Sequence, residues 1–505
     1  MRPSLRPLAA ALLLAAPCTL AAQAPAAAHP IAVEDAVRSA LGDNTQVRIA
    51  WLRVEQQRGT VISRQSPFDL QFSSSVQGMQ QQVQVTDASF ARQAGKTYQL
   101  GLSRQLRSGI TVSPSVQVSD LQYALPGAQA SGSSTASMDV GVPLLYNRGG
   151  AVTATAVRVG ELDLATFEGS WRTAVAAGAN SAASAYWGYV AAIRRLDVQR
   201  EAEARAARLL DETTQLVKQE ERAPADLQQL KATVASRRAA RILAEQAVDE
   251  ARVQLGSVMG LTAAATLALG APSTDFPVPP AGSVADDATV ARLRGVALRL
   301  RPDLAAQRVS NEAWDTELEQ FRSASLPHLD LHVAVGYVGL TEGPGYAHLV
   351  SPLYRNVPGL NASVQLSYAW AASNSGPRGQ VVSEEALVQQ QRVSMRDVER
   401  QVVTDVAVAA AGVDRNAAAL RDAEEAVALY RLSVDNEQRK LKLGMNTLFD
   451  VLNSEDALTN ALLTAINNRR GYAAALTSLR LATGTLVEVA GEQPAVDAAR
   501  LLTVP

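Results

Sequence analysis

Three side chains at alternate positions, His328, Asp330 and His332, come nearest to a metal-binding set in this sequence. On a strand, residues two apart share a face, and imidazoles beside a carboxylate suit a divalent ion. The same spacing fits the hydrophilic lumen face of a membrane barrel, so neither metal nor cofactor is expected. Gly95-Lys96-Thr97 has the ending of a phosphate-binding loop, but Phe90 occupies the place of the required earlier glycine and a strand follows. His29 and His348 stand alone, and the chain contains no His-Glu-x-x-His helix, nucleophile elbow or dinucleotide fingerprint. No enzymatic activity is expected. Arg237-Arg238 and Arg469-Arg470 are adjacent basic residues on long helical stretches and read as a solvated face. Asp450 and its repeat equivalent Asp226 fall just inside helices, where the macrodipole stabilises a carboxylate.

The surrounding chain is unlike a set of packed enzyme domains: 47% of its 505 residues are hydrophobic, but only 5% are aromatic and 19% charged. Alanine carries much of that hydrophobicity. The formal charge of −2 gives no basic excess for nucleic acid. The single cysteine, Cys18, excludes a disulfide framework and a multi-cysteine zinc site. Arg2 and Arg6 precede the apolar run Leu8 to Ala16 and small residues at Ala21 and Ala22, the anatomy of a secretory signal peptide over residues 1–22. A lipidated Cys18 would want a small residue before it, and Pro17 stands there. Beyond the leader no run of about 18 apolar residues predicts a spanning helix. An exported chain of this kind is either soluble or crosses an outer membrane as a β-barrel.

Long helices must position the two acids. No proline lies between Pro143 and Pro224, and continuous helix there would approach about 100 Å. A second helix follows to Val258. The plan returns in Val381 to Leu443, where Val402, Val406, Ala409, Val413, Ala417 and Leu420 recur at three- and four-residue steps; Gly444 interrupts it and Thr447 to Thr483 follows. Leu255, Gly260 and Asp226 fall on Leu479, Gly484 and Asp450 at a constant offset of 224, so the unit is duplicated. Upstream, the helical stretch ending at Pro67 corresponds to that ending at Pro327 with an offset of 260.

The variable stretches between helices alternate like strands. Asp330, His332, Ala334 and Gly336 alternate with Leu331, Val333, Val335 and Tyr337, and Ser363, Gln365 and Ser367 with Val364, Leu366 and Tyr368. In the first copy Phe72–Val85, Tyr98–Leu106, Ile110–Val118 and Met138–Pro143 are weaker candidates, with Ala128–Ser137 reading as a low-complexity loop. A barrel wall and a half-buried surface sheet both give such alternation. The turn Arg107-Ser108-Gly109 suggests an extra strand pair, leaving the strand count open.

The run Gly444-Met445-Asn446-Thr447-Leu448-Phe449-Asp450-Val451-Leu452, with Tyr472, Leu479 and Gly484-Thr485-Leu486, resembles the second-repeat signature of the TolC-type outer-membrane efflux protein family. Pro143 to Gly150 and the stretches ending at Pro67 and Pro327 are similar to that family's strand boundaries. The resemblance covers essentially the whole mature chain. It implies a mainly α fold with a transmembrane β-barrel, in which duplicated strand and long-helix units build a homotrimeric β-barrel continued by a periplasmic α-helical barrel. Residues 23–260 form the first repeat, with helices about 33–64 and 151–258 and strands about 67–143. Residues 261–289 form an equatorial linker, and 290–486 the second repeat, with helices about 290–325, 381–443 and 447–483 and strands about 330–368; 487–505 form a tail.

The function implied is a passive exit duct in the bacterial outer membrane, extending into the periplasm and working with a periplasmic adaptor protein and an inner-membrane transporter. Asp450 would line its entrance, with Asn453 one turn on in place of a second acid, and Asp226 as first-copy equivalent. Ala223, Pro224, Gly444, Met445, Asn446 and Thr447 would form the docking tips. A non-channel coiled-coil protein of the periplasm or cell surface is the alternative, since alanine-rich helices alone would serve it. Cargo, pump and adaptor are not legible in the chain.

Overall fold

The computed structural model describes residues 30–505 except 87–88, 124–130, 221–222, 281, 343–350, 356–358 and 492. The leader with Cys18, and His29 and His348, lie outside the described residues. In chain order, α1 (Val33–Asp43) and α2 (Thr45–Gln65) lead to strands β1 (Gln71–Thr86), β2 (Ser89–Gln105), β3 (Thr111–Tyr123) and β4 (Ser131–Pro143). Then come α3 (Gly150–Thr153), the 64-residue α4 (Thr155–Lys218), α5 (Ala225–Val258) and α6 (Ala263–Leu267). The second copy runs α7 (Asp287–Leu300), α8 (Pro302–Ala324), β5 (His328–Glu342), β6 (Asn361–Ala369), the 68-residue α9 (Ser375–Lys442) and α10 (Leu448–Thr483). A hairpin of β7 (Glu488–Ala490) and β8 (Gln493–Ala495) and helix α11 (Ala498–Leu502) close the chain.

Several expected elements are corrected. The helix read over 33–64 is two helices, because Asn44 takes an extended ψ of 128° and its side chain caps the second, accepting from Gln46 N–H at 2.9 Å. Its Nδ2 donates to the Val258 carbonyl at 2.8 Å, tying the break to the end of α5. The helix read over 290–325 breaks at Arg301, which is extended because Pro302 follows and disfavours helical backbone before it. The helix read from 381 starts at Ser375; Pro377 sits in its first turn, where a missing N–H costs nothing. The serine-rich stretch from 131 is strand, not loop: pairing with β3 on one side and β5 on the other overrides its low strand propensity. The 261–289 linker contains α6, and the 487–505 tail folds back, with Arg480 Nε donating to the Thr503 carbonyl at 2.7 Å and Leu501 fully buried.

The alanine-rich stripe of α4 builds the largest core. Ala179, Ala182, Ala183, Tyr186, Trp187 and Val190 pack against Val33, Val37 and Ala40 of α1, Val47 of α2 and Leu255 of α5. Small residues let these helices approach closely: a Cβ on Gly169 of α4 would meet the Ala306 Cβ of α8 at 2.7 Å. The Tyr186 hydroxyl accepts from Thr274 N–H at 2.9 Å and lies 3.2 Å from the Ile31 carbonyl, so it pins the linker and the start of α1 to α4. Trp187 is fully buried between Tyr186 and Phe276, with ring centroids 5.1 and 5.7 Å away. Trp187→Ala should therefore cost about 3–5 kcal/mol, read as a lowered unfolding midpoint of the detergent-solubilised protein. An unchanged midpoint would mean that this core does not limit stability.

The strands form one antiparallel meander in the order β1-β2-β3-β4-β5-β6. Register gathers the apolar side chains on one face: Phe72 opposes Leu102, Val76 opposes Tyr98, Leu100 opposes Val116, Val112 opposes Val140, Val335 opposes Met138 and Leu331 opposes Leu366. This face is exposed on β1, β2 and β6, where Val364 is 71% and Leu366 62% accessible, and mostly half-buried on β3 to β5. The other face is hydroxyl and amide, with Ser103 to Ser113 at 3.0 Å, Ser119 to Ser133 at 2.7 Å and Gln81 to Gln93 at 2.9 Å. Within one chain the sheet is open, with β1 and β6 as its edges.

Candidate functional site

The turn between α9 and α10 is built by glycine and then by capping. Gly444 has φ 70°, a left-handed backbone, and this lets Met445 N–H reach back to the Lys440 carbonyl at 2.9 Å. Asn446 Nδ2 donates to the Glu437 carbonyl at 3.0 Å and to its Oε2 at 2.7 Å, fastening the turn to the helix it has just left. Thr447 then starts α10 as one half of a capping box, and Asp450 is the other half: its Oδ2 accepts from Thr447 N–H at 2.9 Å and Thr447 Oγ1 at 2.6 Å. The Thr447 hydroxyl and N–H hold the Asp450 carboxyl below its ordinary value. Lys440, and then the Asn446 amide, hold Glu437 down likewise. Asp450 and Asn453 are both exposed on this chain.

Three large apolar side chains stand exposed at this tip: Leu443 and Met445 are each 72% accessible and Phe449 is 64%. Leu443 and Phe449 are absent from the sequence-based set of tip residues, because each reads as one more apolar residue of a long helical pattern; the chain reversal is what leaves them uncovered. The first-copy tip is different. Glu220, aligned with Gly444, takes the same left-handed backbone, with φ 61°, at the steric cost any Cβ carries there. Ala223 stands in the place of Thr447, and α5 begins at Ala225 after Pro224 as N-cap, without a side-chain cap. Ala223 and Pro224 are exposed, and Asp226 is half-buried in the first turn of α5.

The structure separates the histidine and arginine candidates. His332 and Asp330 lie on the polar face of β5, but the His332 ring nitrogen approaches Asp139 of β4 at 3.4 Å while the His328 ring lies 4.1 Å from Tyr146. Gly95-Lys96-Thr97 lies within β2. Arg237 pairs with Asp456 of α10, Arg238 approaches Glu203 of α4 at 3.4 Å, and Arg469 meets Glu424 of α9 at 2.7 Å. These arginines join neighbouring helices of the same chain, and burial lowers the Arg237 pKa. Arg205 of α4 bridges to Glu455 of α10 at 2.7 Å, linking the two copies one turn above Asp450.

An apolar sheet face backed by a polar one is what a lipid-facing barrel wall requires, and here it is mounted on helices about 100 Å long. Residues 293–485 match the family model described as outer membrane efflux protein. No curated protein sequence matches the chain. Among solved structures, the CmeC outer membrane channel of Campylobacter jejuni superposes with a TM-score of 0.67 at 14% identity, covering 90% of this chain and 85% of its own. The outer membrane protein VceC of Vibrio cholerae gives 0.65 at 15% identity, with 90% and 96% covered. The MtrE outer membrane channel of Neisseria gonorrhoeae, in its open state, gives 0.61 at 15%, with 90% and 88% covered. These likenesses establish the fold over nearly the whole chain, and the family's sequence pattern occupies its second repeat. Over residues 293–485 the chain is similar to the outer membrane efflux protein family, and over nearly its whole length it has the fold of the solved outer-membrane channels.

Proposed function

We propose that three copies of this chain join into a passive exit duct, a shared barrel in the outer membrane continued by a tube of helices into the periplasm. One observation carries the reading: the six-stranded sheet has an apolar face, exposed on β1, β2 and β6 and mostly half-buried on β3 to β5, and among the described residues β1 and β6 are its edges with no further strand beside them. Hydrocarbon tolerates no open sheet edge, so copies must close the sheet on one another. A structural coiled coil would have no use for such a wall, and the alternative reading is not favoured. The family is one of transport ducts rather than enzymes. Export is then driven by an inner-membrane pump through a periplasmic adaptor, and the exposed Leu443, Met445 and Phe449 favour the second-repeat tip as the docking surface.

Asp450 is the proposed entrance residue. A ring of carboxylates near a threefold axis attracts cations, with a reach of about 10 Å at ordinary ionic strength. In a ring the like charges of neighbouring copies raise the Asp450 pKa, while within each chain Thr447 holds it down and favours the charged form. The capping interaction follows the same sign: it is present above the unfolded pKa and lost as pH falls through the depressed one. In planar bilayers the wild type should conduct with cation preference. Asp450→Asn should weaken that preference several-fold while keeping the Thr447 cap contact through its amide oxygen, and adding Asp226→Asn should weaken it further if both tips reach the axis. Selectivity unchanged in both variants would place the constriction elsewhere; absence of any conductance in the wild type would end the duct reading.

A further inference from the structure

The two repeats contribute unequally to the sheet. The second supplies β5 and β6, the first supplies β1 to β4, and the difference matches the fall in repeat offset from 260 at Pro67 and Pro327 to 224 at Asp226 and Asp450. β1 follows α2 as β5 follows α8, and β4 precedes α4 as β6 precedes α9. The surplus is therefore the hairpin β2–β3. Its turn is fitted, not appended: Gly109 has φ 92°, and a Cβ there would meet the Asn147 carbonyl at 2.7 Å and Pro143 Cγ at 2.9 Å. Gly149 N–H donates to the Ser108 carbonyl at 3.3 Å, seating the turn on the junction between β4 and the helices. Both strands carry the common faces, with Leu100 and Val116 on the apolar side and Ser103 and Ser113 on the polar side.

We propose that the inserted hairpin is part of the membrane wall, so that threefold closure pairs β6 of one copy with β1 of the next and gives a barrel of eighteen strands. This rests on the trimeric duct reading. The edges suit one another. β6 has nine residues and presents Ala362, Val364, Leu366 and Tyr368 on its apolar side. β1 has sixteen, but its apolar side holds Phe72 and Val76 only over the first part, before turning to Gly78, Gln80, Gln82 and Gln84. β6 thus covers the stretch of β1 that meets hydrocarbon, and the glutamine-bearing remainder stands where water can satisfy its backbone. The two edges run antiparallel, as barrel closure needs, because β1 leaves the helices and β6 returns to them. Barrel diameter grows with strand number, and barrels of about 16–18 strands keep an open aqueous lumen. Serine, glutamine and threonine of β1 to β3 would line it without charge, whereas Asp139, Asp330, His332 and Glu342 gather on β4 and β5. The barrel would then pass bulky hydrated cargo with little selection of its own, leaving discrimination to the helical end.

Cross-linking tests the wall directly, because the only cysteine is Cys18. In a Cys18→Ser background, cysteine pairs on β1 and β6 (Ser73→Cys with Ser367→Cys, Ser75→Cys with Gln365→Cys, Gln77→Cys with Ser363→Cys, and each shifted by two residues) should, on oxidation in membranes, convert most monomer into a dimer and trimer ladder for at least one register. A disulfide needs Cα atoms within about 7 Å, so only neighbouring strands respond. Two outcomes overturn the proposal: cross-linking of β6 to β3 through Gln365→Cys with Gln117→Cys, which would put β1 and β2 off the wall, or of β1 to β4 through Ser75→Cys with Ser137→Cys, which would put β2 and β3 off it. A trimer by native mass in which no β1–β6 pair reacts overturns it too, while leaving the duct intact. A protein that is not trimeric contradicts the duct reading itself.

Discussion

Arginine in place of Leu366 should remove the protein from the outer-membrane fraction, whereas arginine in place of the adjacent Gln365 should leave it there. Leu366 lies on the exposed apolar face of β6, opposite Leu331, and Gln365 lies on the polar face, opposite His332. A cationic side chain on the lipid face of a barrel strand costs about 2–4 kcal/mol near the bilayer midplane, falling towards the interfaces. Three copies would multiply that cost by about three, which is comparable to the whole stability of an ordinary domain. The polar neighbour would project into water and pay little. Fractionation followed by protease accessibility reads the difference. Equal behaviour of the two variants would mean that the apolar face meets protein rather than lipid.

Phe449→Asp should abolish export while leaving assembly and membrane insertion unchanged, and Met445→Asp should do so to a lesser degree. Phe449 is exposed at the tip one residue before Asp450, and among the described residues it is left 64% accessible. An aromatic anchor at an interface commonly contributes about 2 kcal/mol or more, so its loss should weaken docking about thirtyfold. The cost to the fold should be small, because Leu448 and Val451, buried on the other side of the turn, hold α10 in place. Glu437, Asn446 and Thr447 would still close the loop. These substitutions are cleaner than one at Gly444, where any side chain strains the left-handed backbone before it can meet a partner. The readouts are export in cells lacking other ducts and co-purification with adaptor. Loss of trimer instead of docking would place this turn in the assembly contact, not the partner contact.

The duplicated plan was legible in the sequence because it is written in residues with few alternatives. Gly260 and Gly484 end matching helices with φ of 74° and 71°, and glycine is the residue that adopts such a backbone without cost. The second-repeat turn was legible for the same reason, through Gly444 followed by Thr447 and Asp450. The breaks at Asn44 and Arg301 were not, since the apolar period runs through both. Asn44 stops a helix only because the Val258 carbonyl waits for its amide, a contact across 214 positions. Strand number was hidden by composition. β1 has serine and glutamine on both faces and β4 opens with serine and glycine, so alternation is faint where pairing is firm. At the tips, the acid was visible by spacing, whereas the exposure of Leu443 and Phe449 depends on where the chain turns and what leaves them uncovered.

The mass of the assembled protein tests the central claim most directly. Membranes from cells making the full chain should release it only on addition of detergent, and native mass spectrometry of that material should give three times the mass of the processed chain. A soluble monomer released without detergent would contradict the account.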